Sequence, residues 1–220
     1  MNITHHPTDE VLLDYASGAL GESWCIAIAT HLALCPVCRE VHERMEALGG
    51  GFLETTASEP ATELSFESLL QRIDDDTTER QEEIYSDVPS GPTPICPNPL
   101  REYIGNDLGD VAWQRLGLGA YQYVIPTNDA SITARLLRIP AGQMVPEHSH
   151  RGTEMTLVLA GSFSDTTGHY GRGDLQQADE HLEHQPVAAV GEDCICLAIT
   201  DAPLRFRSLA ARMVQPFLGI

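Results

Sequence analysis

The segment His31-Leu-Ala-Leu-Cys35-Pro-Val-Cys38 constrains this chain more than any other stretch. On a helix, residues four apart share a face, so His31 and Cys35 point the same way, and a tight turn at Pro36 brings Cys38 to the same place. Mixed imidazole and thiolate donors suit a tetrahedral metal, and zinc is the usual occupant of such a set. Three donors leave one vacancy, and the nearest upstream candidates are His5 and His6. Either would tie the N-terminus to the second helix. The plainer alternative, two buried thiols and a capping histidine, leaves the coincidence of three ligating types at this spacing unexplained.

A His-x-x-x-Cys-x-x-Cys run with His6 twenty-five residues before His31 resembles the zinc-binding anti-sigma domain of bacterial regulators of alternative sigma factors. At 220 residues the chain has room for one large or two small domains. Its formal net charge of −19 disfavours free nucleic acid as a partner, because phosphate binding needs basic side chains, and favours a basic protein instead. All thirteen basic residues are Arg, which excludes lysine Schiff-base chemistry. No apolar run of membrane-spanning length and no signal-peptide pattern is present, so the expectation is a cytoplasmic protein without a membrane anchor. Thiols stay reduced there, which makes Cys35 and Cys38 better metal ligands than disulfide partners.

Residues 8–20 read as a helix opening at Thr8 and ended by Gly21, with Asp9 and Glu10 at the positive end of its dipole. A second helix from about Ser23 carries His31. A third starts at Pro36, runs to Leu48 with Val37, Val41 and Met45 at helical spacing, and is expected to stop at Gly49-Gly50-Gly51. Three short helices make a marginal core, and a metal would hold them. Residues 63–73 form a separate amphipathic helix candidate with Phe66, Leu69, Leu70 and Ile73 on one stripe, suited either to packing on the three helices or to gripping a partner.

The expected organisation is a helical domain over residues 1–75, an acidic and Pro-rich linker over 76–99, and a β domain over 100–220. The first ninety residues hold eighteen Asp and Glu against four Arg, which marks the helical half as the surface for a basic partner. From about Leu100 short runs of Val, Ile, Leu and Tyr alternate with turn residues, as at 121–125, 132–139, 156–160 and 194–200, the texture of an all-β barrel or jelly roll.

Inside that half, Gly142, His148, His150, Glu154 and Gly161 fall at every defining position of the first motif of the cupin family, which they resemble. Two histidines two apart on a strand share a face, and a glutamate from the next strand can close on the same ion. Tyr170-Gly-Arg-Gly-Asp174 supplies the turn expected before the second motif, whose histidine is either His184, favoured because Pro186 and an apolar run follow it, or His181. Such a site accepts zinc, iron, manganese or nickel, and the resemblance leans toward zinc. Cys194 and Cys196 share one face of a strand, where an extended chain sets their Cα atoms near 7 Å apart, too far for an easy disulfide. They read as small buried residues or as a redox-sensitive pair. Cys25 and Cys96 read as packing and linker residues.

The two constellations together resemble the ChrR-type anti-sigma factors: an α+β multidomain chain, with a small zinc-stabilised helical bundle followed by a cupin barrel. The resemblance implies metal ligands His6, His31, Cys35 and Cys38 in the first domain and His148, His150, Glu154 and His184 in the second. It further implies a one-to-one complex with an extracytoplasmic-function-type sigma factor, no direct contact with nucleic acid, and release through the cupin under singlet oxygen or related oxidative stress. By that reading the chain is no enzyme. The rival expectation is a metal-dependent cupin enzyme, a dioxygenase or isomerase, with an accessory zinc domain.

Overall fold

The computed structural model describes residues 2–58, 65–80, 95–117 and 119–208. Much of the expected linker, residues 81–94, and the last twelve residues of the β half lie outside them. The helices are α1 (Asp9–Ala16), α2 (Glu22–Leu34), α3 (Pro36–Thr55), α4 (Phe66–Arg80) and α5 (Asn98–Ile104). The strands are β1 (Gln114–Leu116), β2 (Ala120–Ile125), β3 (Thr133–Ile139), β4 (His148–Ser149), β5 (Glu154–Ala160), β6 (Ser162–Ser164), β7 (His169–Gly171), β8 (Leu175–Ala178), β9 (Glu183–His184), β10 (Val187–Ala188), β11 (Cys194–Thr200) and β12 (Arg205–Phe206). Two compact units result, one drawn from Met1–Leu48 with Pro94–Ile220, the other from Gly49–Thr93.

In the first unit the strands pair antiparallel throughout, in a six-stranded sheet ordered β1-β2-β3-β11-β5-β8 and two three-stranded sheets ordered β10-β6-β7 and β12-β4-β9. The long central strands are buried along most of their length, with Leu136, Leu157, Leu159, Leu197 and Ile199 wholly inaccessible. Helix α2 packs on β5 and β11 and against α5. Its buried residues, Ser23, Ile26, Ala27, Ile28, Thr30, His31 and Leu32, lie on more than one face, as expected of a helix covered on several sides. The expected boundary over 76–99 carried no hint of this packing between the leading helices and the β half.

Local chemistry explains the helix limits. Thr8 caps α1 by accepting from Val11 N, and the helix ends at Ala16 rather than near residue 20 because Gly18 takes a left-handed φ of 71°. Gly21, expected as a terminator, instead opens α2, whose Ser23 N donates to Asp129 Oδ2 at 2.7 Å, a carboxylate at the positive end of the helix. Cys35 is extended (φ −106°, ψ 104°), as a residue before proline prefers, and Pro36 then starts α3 after a bend of 117°. Helix α3 continues through Gly49-Gly50-Gly51 to Thr55, which corrects the expected stop at Leu48. Glycine permits the end of a helix without imposing it, and none of the three takes a positive φ. The helix stops where the Thr55 and Thr56 hydroxyls both donate to the Phe52 carbonyl.

Helix α5 corrects the expectation of strand texture from Leu100, since Pro97 and Pro99 sit at its first turn, where proline is tolerated, and Leu100 and Ile104 are buried. In the second unit α4 carries the expected stripe, and its Phe66, Leu69, Leu70 and Ile73 are 40–70 % exposed. Residues 63 and 64 of that expected helix lie outside the described residues. Among the described residues, no single helix is long and apolar enough to cross a membrane.

Candidate metal centres

His6, His31, Cys35 and Cys38 converge, each offering one donor atom within 4.8 Å of the others. His31 comes from the last turn of α2, Cys35 from its C-cap, and Cys38 from the first turn of α3, where its N–H faces Cys35 Sγ at 3.5 Å. His6 arrives from the segment before α1, with Nδ1 at 3.5 Å from Cys35 Sγ and 3.2 Å from Cys38 Sγ. His5 turns away, its ring 4.2 Å from that of Tyr170 and its Nδ1 3.6 Å from Asp174.

The donor set fits a divalent metal on physical grounds. His31 Nδ1 lies 2.9 Å from the Gly173 carbonyl, which can only accept, so that nitrogen carries the proton in the neutral ring. Its Nε2 is then a bare lone pair, buried and without a hydrogen-bond partner. An orphaned buried acceptor is costly unless something electrophilic meets it. The same carbonyl fixes the ring plane, as carbonyls behind ligating histidines do in histidine–metal sites. Burial, with Cys35 adding to it, pushes the Cys38 thiol up to about 12, so a cation must displace the proton to bind there.

Burial lowers the pKa of His31 from 6.5 to about 4 against the opposing hydrogen bond to Gly173. The unfolded chain therefore takes up a proton near pH 6.5 that the folded, metal-free chain refuses until about pH 4. The stability tied to neutral His31 is complete above that upper value and lost as pH falls toward the lower one, a fall of about 3 kcal/mol. His150 and His184, whose pKa values burial also lowers, act in the same direction. Urea unfolding of chelator-treated protein should show this loss, and His31→Gln should make it shallower; an unchanged slope would contradict it.

The second cluster is His148, His150 and His184, all buried. His148 on β4 pairs across the sheet with His184 on β9, and His150 follows β4 directly. Their Nε2 atoms stand 3.1 Å (His148 to His184) and 3.2 Å (His150 to His184) apart. Nitrogens at metal–ligand distances of ~2.0–2.1 Å from a shared ion would be about 3 Å apart. His148 Nδ1 donates to the Pro146 carbonyl at 2.8 Å and His184 Nδ1 to Asp165 Oδ2 at 2.7 Å, so their Nε2 lone pairs face one another. A cation relieves that repulsion. His181 is 83 % exposed at its side chain and lies outside the cluster.

Glu154 is not brought into this cluster. Its Oε1 accepts from the Thr156 hydroxyl at 2.9 Å and its Oε2 lies 3.7 Å from His150 Nδ1, while its side chain lines the same cavity as His148 and His184. That cavity, of about 90 Å³, is walled largely by apolar groups including Leu137, Ile139, Phe163 and Ala188. Cys194 and Cys196 line it as free thiols, with Sγ atoms 3.5 Å apart beside a register shift in the β11–β5 pairing. The hydrogen bond with Cys194, and then burial, holds the Cys196 thiol well above its ordinary range.

Asp165 was not singled out by sequence. Burial alone would raise its pKa, yet hydrogen bonds from Thr167, Gln176 and His184 overcome that and bring it down to about 2. It lies in a Ser-Asp-Thr-Thr-Gly turn that carries no local mark of its role. Asp165→Asn should lower the cavity's metal affinity roughly 10- to 100-fold in competition with a chelator, because the carboxylate orients His184. Unaltered affinity would show that His184 needs no such support.

Residues 102–202 match the model of the ChrR cupin-like domain family. The anti-sigma-E factor ChrR of Cereibacter sphaeroides is 46 % identical over 221 residues, covering 100 % of both chains. The crystal structure of Rhodobacter sphaeroides SigE in complex with the anti-sigma ChrR contains a chain that is 44 % identical, with a TM-score of 0.79, covering 91 % of this chain and 100 % of that one. An RmlC-like cupin protein from Ralstonia eutropha is 22 % identical over 47 % of this chain and 71 % of its own, with a TM-score of 0.42.

Proposed function

Since the chain belongs to the ChrR family of anti-sigma factors, we propose that it sequesters an extracytoplasmic-function-type sigma factor in a one-to-one complex. The observation that carries this reading is full-length similarity to an anti-sigma factor whose relative is crystallised with its sigma factor. On this reading the protein is a regulator rather than an enzyme, acting in the cytoplasm, where its target works.

Zinc held by His6, His31, Cys35 and Cys38 would fix the α2–α3 bend and the entering N-terminal segment. The exposed apolar stripe of α4 and the acidity of the first ninety residues suit a basic, partly apolar protein surface. These properties support a functional module over residues 1–75, joined through 76–99 to a sensing module over 100–220. His148, His150 and His184, with Glu154 on the same cavity wall, would hold zinc or another divalent metal there, and oxidative stress, singlet oxygen included, would act through that half.

Capture of the tagged full-length chain from its native host should bring down a sigma factor at equal molar amount. Absence of any sigma factor from the captured material would overturn the reading. The cavity beside the histidine cluster is the one observation that favours a cupin enzyme instead. Iron in the purified protein together with oxygen consumption would support that rival, and zinc without turnover would oppose it.

A further inference from the structure

Both histidine donors of the thiolate centre are positioned by one short segment of the β half. The Gly173 carbonyl accepts from His31 Nδ1 at 2.9 Å. Asp174 Oδ1 accepts from Thr4 N at 2.7 Å and from His5 N at 2.9 Å, while its Oδ2 accepts from Gly171 N at 2.8 Å. Leu175 N donates to the His5 carbonyl at 3.1 Å, and Gln177 Oε1 accepts from Thr8 N at 3.0 Å. The segment Thr4–Thr8, with His6 at its middle, is thereby fastened along β8, the last strand of the six-stranded sheet. Gly173 has φ +89°, and a Cβ there would stand 2.6 Å from Ile3 Cδ1, so the turn fits closely against the same N-terminal segment.

The same strand reaches the other centre. Successive side chains of a strand point to opposite faces, and Gln176, between Leu175 and Gln177, points into the barrel, where it is 4 % exposed. Its Nε2 donates to Asp165 Oδ2 at 2.8 Å, the oxygen that also accepts from His184 Nδ1 at 2.7 Å. Five consecutive residues therefore touch the outer sphere of both metal centres.

We infer that the segment Gly173–Gln177 links the two centres energetically, so that a metal among His148, His150 and His184 tightens metal binding at His6, His31, Cys35 and Cys38. This rests on the reading that both clusters hold a divalent metal. With its Nε2 ligated, His184 would donate more strongly through Nδ1–H to Asp165 and hold that carboxylate in place. Asp165 in turn fixes Gln176 and the start of β8, and with it the carbonyl and carboxylate that hold His31 and the His6 segment. Without the cation the facing Nε2 lone pairs of His148 and His184 repel, and the constraint on β8 relaxes. Linkage makes the effect reciprocal.

The test uses cobalt in the full-length chain with Cys194 and Cys196 both replaced by alanine, so that thiolate-to-cobalt absorption reports Cys35 and Cys38. Competition of this signal against a chelator reads the affinity of the thiolate centre. Emptying the cavity with His148→Ala and His150→Ala should lower that affinity about 5-fold or more. Gln176→Met, which leaves every ligand in place, should lower it by a similar factor. In the Gln176→Met background, emptying the cavity should add less than about 2-fold, the non-additivity expected of one connected path. Asp174→Asn should lower the affinity roughly 10-fold, whatever the cavity holds. Equal affinity in all these chains, or an equal fall in both backgrounds, overturns the linkage alone. A parent chain that binds a single cobalt overturns the linkage and the two-metal reading together.

Discussion

Replacing Cys35 and Cys38 together with serine should remove one bound metal per chain and weaken the grip on the sigma factor by at least ~100-fold. The two sulfurs and His6 Nδ1 are the groups that join the α2–α3 bend to the N-terminal segment at this point, at 3.2 and 3.5 Å. Serine hydroxyls are poor zinc ligands, so His31 Nε2 would remain a buried acceptor without a partner, at a cost of about 1–3 kcal/mol. Helix α2 still packs on β5, β11 and α5, so the β half should stay folded while the binding surface is lost. Metal analysis and titration against the captured sigma factor check both parts. A serine variant that binds with full affinity would show that the metal centre is dispensable for the grip.

Gly161→Ala should destabilise the β half by roughly 3–5 kcal/mol, from a left-handed backbone and overpacking combined. Gly161 has φ +65°, and an added Cβ would lie 2.4 Å from the Asp193 carbonyl oxygen and 3.1 Å from Cys194 Cα. Both are backbone atoms, and the adjacent β11 is locked between β3 and β5, so neither can swing aside. Gly119→Ala is the control: its φ is +101° but nothing lies within 4 Å, so only the backbone strain remains, about 1–3 kcal/mol. Chemical unfolding of the two variants side by side should separate them. Equal losses would mean that the approach of Asp193 relaxes freely.

Both predictions draw on residues that were legible before the fold was. His31, Cys35 and Cys38 are close in sequence, so helix geometry and one proline suffice to aim them together. His148 and His150 likewise share a strand edge, and the glycines at 142 and 161 both take the positive φ that a motif glycine serves. What sequence could not give was partners at long separation. The carbonyl of Gly173 lies 142 residues from His31, and Asp174 lies 170 from Thr4. No periodicity relates such pairs.

Glycine and proline misled in opposite ways. The triplet Gly49-Gly50-Gly51 reads as a stop, yet α3 runs through it to Thr55. The prolines at 97 and 99 read as linker, yet they open α5. Each residue type permits more than one outcome, so its presence alone does not set where a helix starts or stops. Glu154 matched the motif by spacing, but its carboxylate accepts from Thr156 and lies 3.7 Å from His150 Nδ1, outside the cluster of three histidine donors.

Transcription in vitro, driven by the captured sigma factor with its polymerase, reads whether the metal is needed for silencing. Metal-loaded protein should silence transcription at one chain per sigma factor. Chelator-stripped protein should fail to silence, and zinc should restore the effect. Stripped protein that silences at full strength would show that inhibition does not depend on the metal.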